Sequence, residues 1–357
     1  MVNNVKFNIL NQLPIVDTTN RHVYIWGTGN TSIGYQEAFL REDWLNIYGY
    51  AVNDTNQVGK LFCGKRIFSA DEVAADKDAL VFICTLQPTV YNQVSEQMRR
   101  LGVEAYLIDA VIFGKNREKI ESVIGMLEDE ESVETYLHIL ECRAKGLYPD
   151  SCYINDHLYT ALPEFRFLNQ NDIFVDCGAF VGDTIEKFIW DHYGIFKKII
   201  AIEPNPRNFK AMSIRVKRLK EEWALDDEAI ELYPYGVGDI SKIASMNQNV
   251  NSGIYTVISN SKILSDGGDC TQIVALDDFL KTEYTFLKAD IESWEYKMLL
   301  GARKGIKKWH PRLGICIYHN ATDFYSIPLL IKEICPDYRL AVRNHTAQVY
   351  DTVLYAW

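Results

Sequence analysis

Twice along this chain a β-branched, aromatic run ends in glycines and gives way to a helix-like stretch: HVYIWGTGN at 22–30 and DIFVDCGAFVGDT at 172–184. Further strand-like and helix-like stretches follow each opening in alternation. That alternation builds parallel sheets, because a parallel pair of strands needs a long crossover and a helix supplies it. In the first half the strands continue with IYGYAVND (47–54), ALVFIC (79–84) and EAYLID (104–109), and VSEQMRRLG (94–102) reads as a helix closed by Gly102. In the second half they continue with KKIIAIEP (197–204), AIELYPYGVGD (229–239), YTFLKADIE (284–292) and RLGICIYH (312–319). A hairpin-like stretch carries Ser252 and Gly253. The helix IPLLIKEICP is read as beginning at its proline, which a first helical turn tolerates. The final runs, YRLAVRNH and QVYDTVLYAW, are joined so briefly that they must pair antiparallel.

Between the halves, EKIESVIGMLEDEESVETYLHILECRAKG is helical by period and closed by Gly146, with Glu128–Glu131 as a solvated helix start. The expectation is an α/β protein in three parts. An N-terminal Rossmann-like domain spans 1–114, a helical connector 115–165, and a larger Rossmann-like sheet, ending in an antiparallel pair, 166–357. A chain of 357 residues exceeds one typical core.

A formal charge of −11 repels phosphate backbones, so no nucleic acid is expected as a partner. The sequence has neither a basic, apolar leader nor an apolar run of membrane-spanning length, so a cytoplasmic location with no membrane span is expected. Eight cysteines include no C-x-x-C pair, and Cys84, Cys177 and Cys316 sit in apolar runs as reduced core thiols.

The loop at 176–184 has an unusual lining. Gly178 and Gly182 open the backbone at a strand's carboxyl end, where nucleosides bind in such sheets. Glu203 ends the next strand, 21 residues after Gly182, placed to accept ribose hydroxyls. These features fit NAD and S-adenosylmethionine alike, but Asp176 and Asp183 flank the turn. A pyrophosphate would meet like charge there, whereas an ammonium and a sulfonium would be attracted.

Several further blocks lie in order behind this loop: VDCGAFVGDT, AIEPNP, YGVGD, VALDDFL, FLKADIESWEYKMLLGA and IYHNATDFY. Together they make 166–357 resemble the FkbM family of S-adenosylmethionine-dependent methyltransferases, and 120–165 resembles the helical lead-in of its longer members. In ESWE, Ser293 stands where the family more often has glycine, which puts the backbone shape after that strand in question. The resemblance implies that Asp176, Gly178, Ala179, Gly182 and Thr184 form the cofactor loop. It implies that Glu203 binds the ribose, that Pro204 and Asn205 shape the adenosine wall, and that Gly236, Val237 and Gly238 lie by the adenine. Asp290 would face the methyl-transfer point.

The same carboxyl edge offers Asp290, Glu292 and Glu295 after one strand and Tyr318, His319 and Asn320 after the next. His319, whose pKa lies near working pH, is the candidate general base for a hydroxyl acceptor, with Asp290 beside it. Lys288, Glu292 and Tyr318 are candidates for acceptor binding; Lys288, in an apolar strand, calls for a carboxylate partner. Asp290, Glu292 and His319 offer a magnesium-like, oxygen-rich set as an alternative, but without a fixed ligand spacing the metal-free route is the one expected. His345 reads as a surface residue of the last turn.

In the first half, Gly27, Gly29 and Gly34 form a loop without carboxylates, and Asp54 takes the ribose-type position. Small domains of this kind hold a nucleotide sugar in some sugar-modifying enzymes; packing, including a homodimer contact, is the equal alternative. The combined reading is a methyltransferase that moves a methyl group from S-adenosylmethionine to a hydroxyl of a sugar, nucleotide-sugar or glycan precursor. The alternative is a non-catalytic nucleotide- or nucleotide-sugar-binding scaffold of glycan biosynthesis. An NAD(P)-dependent oxidoreductase would need a Tyr/Lys set near the first loop, and none is present.

Overall fold

The structure, a computed structural model, describes residues 8–248, 255–258 and 270–357. The hairpin-like stretch at Ser252 and Gly253 lies outside them. The chain divides into two compact units. The first takes residues up to Ile154 together with Tyr318–Tyr325 and Thr346–Tyr350; the second takes Asn155–Ile317, Ser326–His345 and Asp351–Trp357.

The first unit is built on β1 (His22–Trp26), β2 (Ile47–Val52), β3 (Leu61–Phe62), β4 (Lys65–Ser69), β5 (Ala79–Ile83) and β6 (Glu104–Leu107), in the order β3-β4-β2-β1-β5-β6. All pairs are parallel except the β3–β4 hairpin. Every residue of β5 is buried, as a central parallel strand covered on both faces requires. Its helix starts at Pro88, earlier than expected, because proline suits the first helical position, and it ends at Gly102 with φ 70°. Helices Ile108–Lys115, Arg117–Ile124 and Glu130–Lys145 follow. The acidic cluster is the start of the last of these, where the Asp129 carboxylate accepts the Ser132 N–H at 2.7 Å.

The second unit has a seven-stranded sheet of β7 (Ile173–Cys177), β8 (Lys198–Ile202), β9 (Ile230–Tyr233), β14 (Phe286–Ala289), β15 (Arg312–Cys316), β16 (Leu340–Asn344) and β17 (Thr352–Ala356). The order is β16-β17-β15-β14-β7-β8-β9, with β17 antiparallel to both its neighbours. This is the expected Rossmann-like sheet with its terminal antiparallel pair. A four-stranded sheet, β10 (Tyr235–Val237), β11 (Lys242–Gln248), β12 (Tyr255–Ile258) and β13 (Cys270–Val274), joins it in the order β10-β13-β11-β12. The core beneath the main sheet is aromatic: Phe174 stacks on Phe188, with ring centroids 4.4 Å apart, and Phe286 and Phe165 continue the cluster. Among the described residues no helix is long and apolar enough to cross a membrane.

Three local readings are corrected. The run 229–239 is two strands in two sheets, because Pro234 has no N–H for a ladder and breaks the run between β9 and β10. The strand at 284–292 ends at Ala289, and the chain turns at Glu292 and Ser293, both left-handed with φ 56° and 77°. Pro328 lies inside the helix Asp323–Ile334 rather than at its start. Its missing N–H leaves the Phe324 carbonyl, one turn back, without its helical donor, and the Tyr136 hydroxyl donates to that carbonyl at 2.9 Å.

Candidate active site

The pairing of β7 with β14 sets Cys177 opposite Ala289, so two loops leave the sheet side by side. Gly178 follows β7 with φ 78°, and a Cβ there would stand 1.9 Å from the Asp290 carbonyl oxygen. Glycine is therefore demanded first by the neighbouring strand, whatever binds above it. The N–H groups of Gly178 and Ala179 both donate to the Ile202 carbonyl, at 2.9 and 3.1 Å, which anchors the loop to β8. Gly182, with φ 81°, precedes the helix Asp183–Asp191.

Glu203 follows β8 and turns its carboxylate under this loop. Its two oxygens accept the Phe180 N–H at 2.9 Å and the Asn205 N–H at 2.8 Å. Burial pushes the carboxyl up to about 7, against the pull of those two donors. The Asn205 side chain accepts the Arg207 and Asn208 N–H groups and so caps the helix Pro206–Glu222.

A cavity of about 430 Å³ opens at this edge of the second unit. Of the residues expected at a cofactor, Gly178, Thr184, Glu203, Pro204, Gly236 and Val237 line it. Asp176, Ala179 and Asn205 are buried to within 1% of full burial and lie behind its wall. Lys288, Asp290 and Glu292 also line it. The Lys288 ammonium lies 2.9 Å from Asp176 and donates to the Gly178 carbonyl at 2.7 Å. Burial works against its charge, but the Asp176 and Asp290 carboxylates outweigh that and hold it protonated above the ordinary lysine range. Among the described residues five carboxylates line the cavity (Asp183, Glu203, Asp290, Glu292 and Asp351), against one lysine, already paired. Such a lining attracts a cation bearing hydroxyls and opposes a pyrophosphate.

Some lining residues escaped the sequence reading. Tyr159 precedes β7 in a stretch without a motif; it has φ 63°, and its N–H donates to the Tyr355 hydroxyl at 2.9 Å. Asp351 sits just before β17 with φ 56°. Because β17 runs antiparallel to β15, its first residues lie at the edge where β15 ends, and only the strand order reveals this. Trp294, in the ESWE block, lines the wall as well.

The two remaining candidates, Tyr318 and His319, fall in the segment that groups with the first unit. Their rings lie 4.1 Å apart, and His319 is buried. His345 is not a surface turn residue. Its Nδ1 lies 2.6 Å from the Asn155 carbonyl and its Nε2 2.9 Å from the Tyr355 hydroxyl, so Nδ1 donates and Nε2 accepts. Burial pushes its pKa down to about 4, so it stays neutral.

The carboxyl edge of the first unit is filled. Arg143, from the helix Glu130–Lys145, reaches in with a fully buried guanidinium and donates to Asp109 at 2.7 Å and to the Tyr35 hydroxyl at 2.9 Å. Tyr35 in turn donates to Asp109. The cleft left beside this network measures about 10 Å³, room for one water. Asp54 is held within its own loop, accepting from the Asn56 N–H and the Gln57 amide, both at 3.0 Å.

A methyltransferase FkbM domain description matches residues 176–341. The crystal structure of methyltransferase FkbM from Methylobacillus flagellatus KT resembles the whole chain, with a TM-score of 0.58, 20% identity and 99% of each chain covered. An rRNA methylase from Streptococcus thermophilus covers 53% of this chain and 87% of its own, with a TM-score of 0.32 and 16% identity. A precorrin-6y C5,15-methyltransferase from Geobacter metallireducens GS-15 covers 57% and 91%, with a TM-score of 0.31 and 11% identity. No curated protein matches the sequence.

Proposed function

We propose, from the match of a methyltransferase FkbM domain description to residues 176–341, that the cavity of the second unit binds S-adenosylmethionine and that the protein methylates a hydroxyl of a sugar or glycan precursor. The observation that carries the cofactor is Glu203. Its carboxylate is buried, fixed by two backbone N–H groups and pushed up to about 7, so donors from a ligand stabilise the ionised form. Ribose hydroxyls are such donors, and the acids around them favour a cationic nucleoside. The acceptor class rests on the family likeness alone.

When bound, S-adenosylmethionine supplies an activated methyl group together with its leaving group. The residues of this chain then orient the acceptor and remove its proton. Asp290 stands at the end of β14. Ala289 pairs with Ile315 on β15, so the chain that leads to Tyr318 and His319 leaves the sheet from the neighbouring strand. In this reading His319 takes the hydroxyl proton as general base, and Glu292 and Tyr318 contribute to the acceptor's place. Lys288, already bound to Asp176 and Gly178, keeps the loop in shape.

Calorimetry with S-adenosylhomocysteine tests the cofactor: wild type binds, and Glu203→Ala binds at least tenfold more weakly. Methyl transfer from labelled S-adenosylmethionine to glycan-precursor fractions tests the base. His319→Ala loses about a hundredfold or more in turnover with cofactor affinity kept, and a chelator leaves wild type active. A chelator-sensitive wild type with an active His319→Ala would replace this mechanism by a metal-assisted one.

A further inference from the structure

In a doubly wound sheet the ligand crevice lies where neighbouring strands diverge to opposite sides, here beyond β1 and β5 of the first unit. That place is taken by Asp109, Arg143 and Tyr35, and they are joined by the returning segment Tyr318–Tyr325. Arg143 donates to the Tyr318 carbonyl. The Tyr35 hydroxyl accepts the Ala321 N–H at 3.1 Å. The Arg143 guanidinium also lies 5.1 Å from the centre of the Phe324 ring. At the other end of the segment, Arg41 donates to the Thr322 hydroxyl at 2.7 Å, and the Tyr325 hydroxyl donates to Glu42.

We propose that the first unit is a clamp rather than a nucleotide-binding domain: its ligand crevice holds Tyr318–Tyr325, and Tyr35 and Arg143 are positioning residues for the Tyr318–His319–Asn320 stretch. The functional consequence rests on the reading of His319 as the base; the clamp itself does not. Three features support it. The backbone bonds that Arg143 and Tyr35 make to the segment come from side chains that are themselves fixed, Arg143 by Asp109 and Tyr35 by Asp109 and Arg143. Arg143 and Asp109 are 0% and 2% exposed, so an ion pair that is costly to bury is kept where a small apolar cluster would also have filled the space. A guanidinium provides what such a cluster lacks, a donor aimed at one chosen carbonyl.

The test uses the full chain. Tyr35→Phe removes one oxygen at nearly constant volume, and Arg41→Gln, on a partly exposed side chain, loosens the far end of the segment. Hydrogen exchange should rise roughly tenfold or more over 318–325 in both variants, while β1 and β5 keep wild-type protection. Turnover in methyl transfer should fall roughly tenfold in Tyr35→Phe while the KM for S-adenosylmethionine stays near the wild-type value, a split that a merely structural role would not give. Affinity for S-adenosylhomocysteine should stay within about twofold of wild type. Unchanged protection of 318–325 in both variants overturns the clamp. So does an equal loss across β1 and β5, which would make the network merely structural. A wild type that fails to bind S-adenosylhomocysteine removes the proposed function and leaves the exchange result to decide the clamp.

Discussion

At the carboxyl edge of the second sheet the chain leaves a cavity of about 430 Å³; the cleft beside the Asp109–Arg143 network of the first unit measures about 10 Å³. Both edges begin with a strand, a glycine of positive φ and a helix. The difference lies in how the buried acids are satisfied. In the first unit Asp109 meets a guanidinium of the same unit, and the charge is neutralised from within. In the second, Glu203 accepts from the Phe180 and Asn205 N–H groups and, among the described residues, has no guanidinium or ammonium bound to it; burial outweighs these donors, the Lys288 charge and the Asn208 side chain, and leaves its carboxyl high, at about 7. A strand–glycine–helix opening therefore permits a ligand without requiring one. A fixed acid whose ionised form awaits further donors is the stronger sign of a site.

The comparison breaks most visibly at its glycines. Gly178→Ala forces a Cβ to within 1.9 Å of a backbone oxygen at φ 78°. It should cost on the order of 5 kcal/mol and abolish S-adenosylhomocysteine binding. Gly27→Ala meets its nearest atoms at 3.3 Å, though at φ 119°, and should cost only about 1–3 kcal/mol, with binding kept. Urea unfolding of the two variants, with calorimetry, makes the comparison; equal costs would remove the asymmetry between the edges.

Next in size is the filled edge. Arg143→Met leaves Asp109 buried without its partner and should destabilise the first unit by about 3–5 kcal/mol. Exchange at β1 and β5 reads this directly, and a loss under 1 kcal/mol would mean that the pair is not what fills the crevice.

The open edge is sharpened by pH. Without ligand, the raised Glu203 carboxyl favours the folded state at low pH; that contribution is full below about 4.5 and is lost as pH rises through about 7. Binding that needs the ionised form runs the other way. Affinity for S-adenosylhomocysteine should rise about tenfold from pH 6 to pH 8 in wild type and stay flat in Glu203→Gln. A flat wild-type profile would detach the ligand from Glu203.

The smallest effect concerns the buried turn at Ser293, between the lining residues Glu292 and Trp294. Ser293 holds φ 77° where glycine fits without strain, so Ser293→Gly should leave binding intact and stabilise the second unit by about 1 kcal/mol. A destabilised Ser293→Gly would show that the serine side chain earns its place through contacts.

What the sequence alone determined was local or periodic: the strand–helix alternation, a helix start within Glu128–Glu131 and a helix end at Gly102, the backbone openings at Gly178 and Gly182, and an acid at the end of β8. Each follows from the conformational freedom of single residues or from spacing along one element. The pairing of Lys288 was legible as a need, since an ammonium inside an apolar strand requires a carboxylate; that Asp176 answers it follows from the register of β7 and β14. The tertiary structure alone decided the rest. Pro234 divides one apolar run between two sheets, and Pro328 stands inside a helix because Tyr136, far away in sequence, satisfies the carbonyl it strands. Asp351 enters the cavity wall through strand order and Tyr159 lines it while bonded to Tyr355 of β17, whereas in the first unit Arg143 is turned onto Asp109. Propensity acts over a few residues, but which strands become neighbours, and which buried charge finds a partner, depends on contacts between segments more than a hundred residues apart, as with Tyr35 and Ala321.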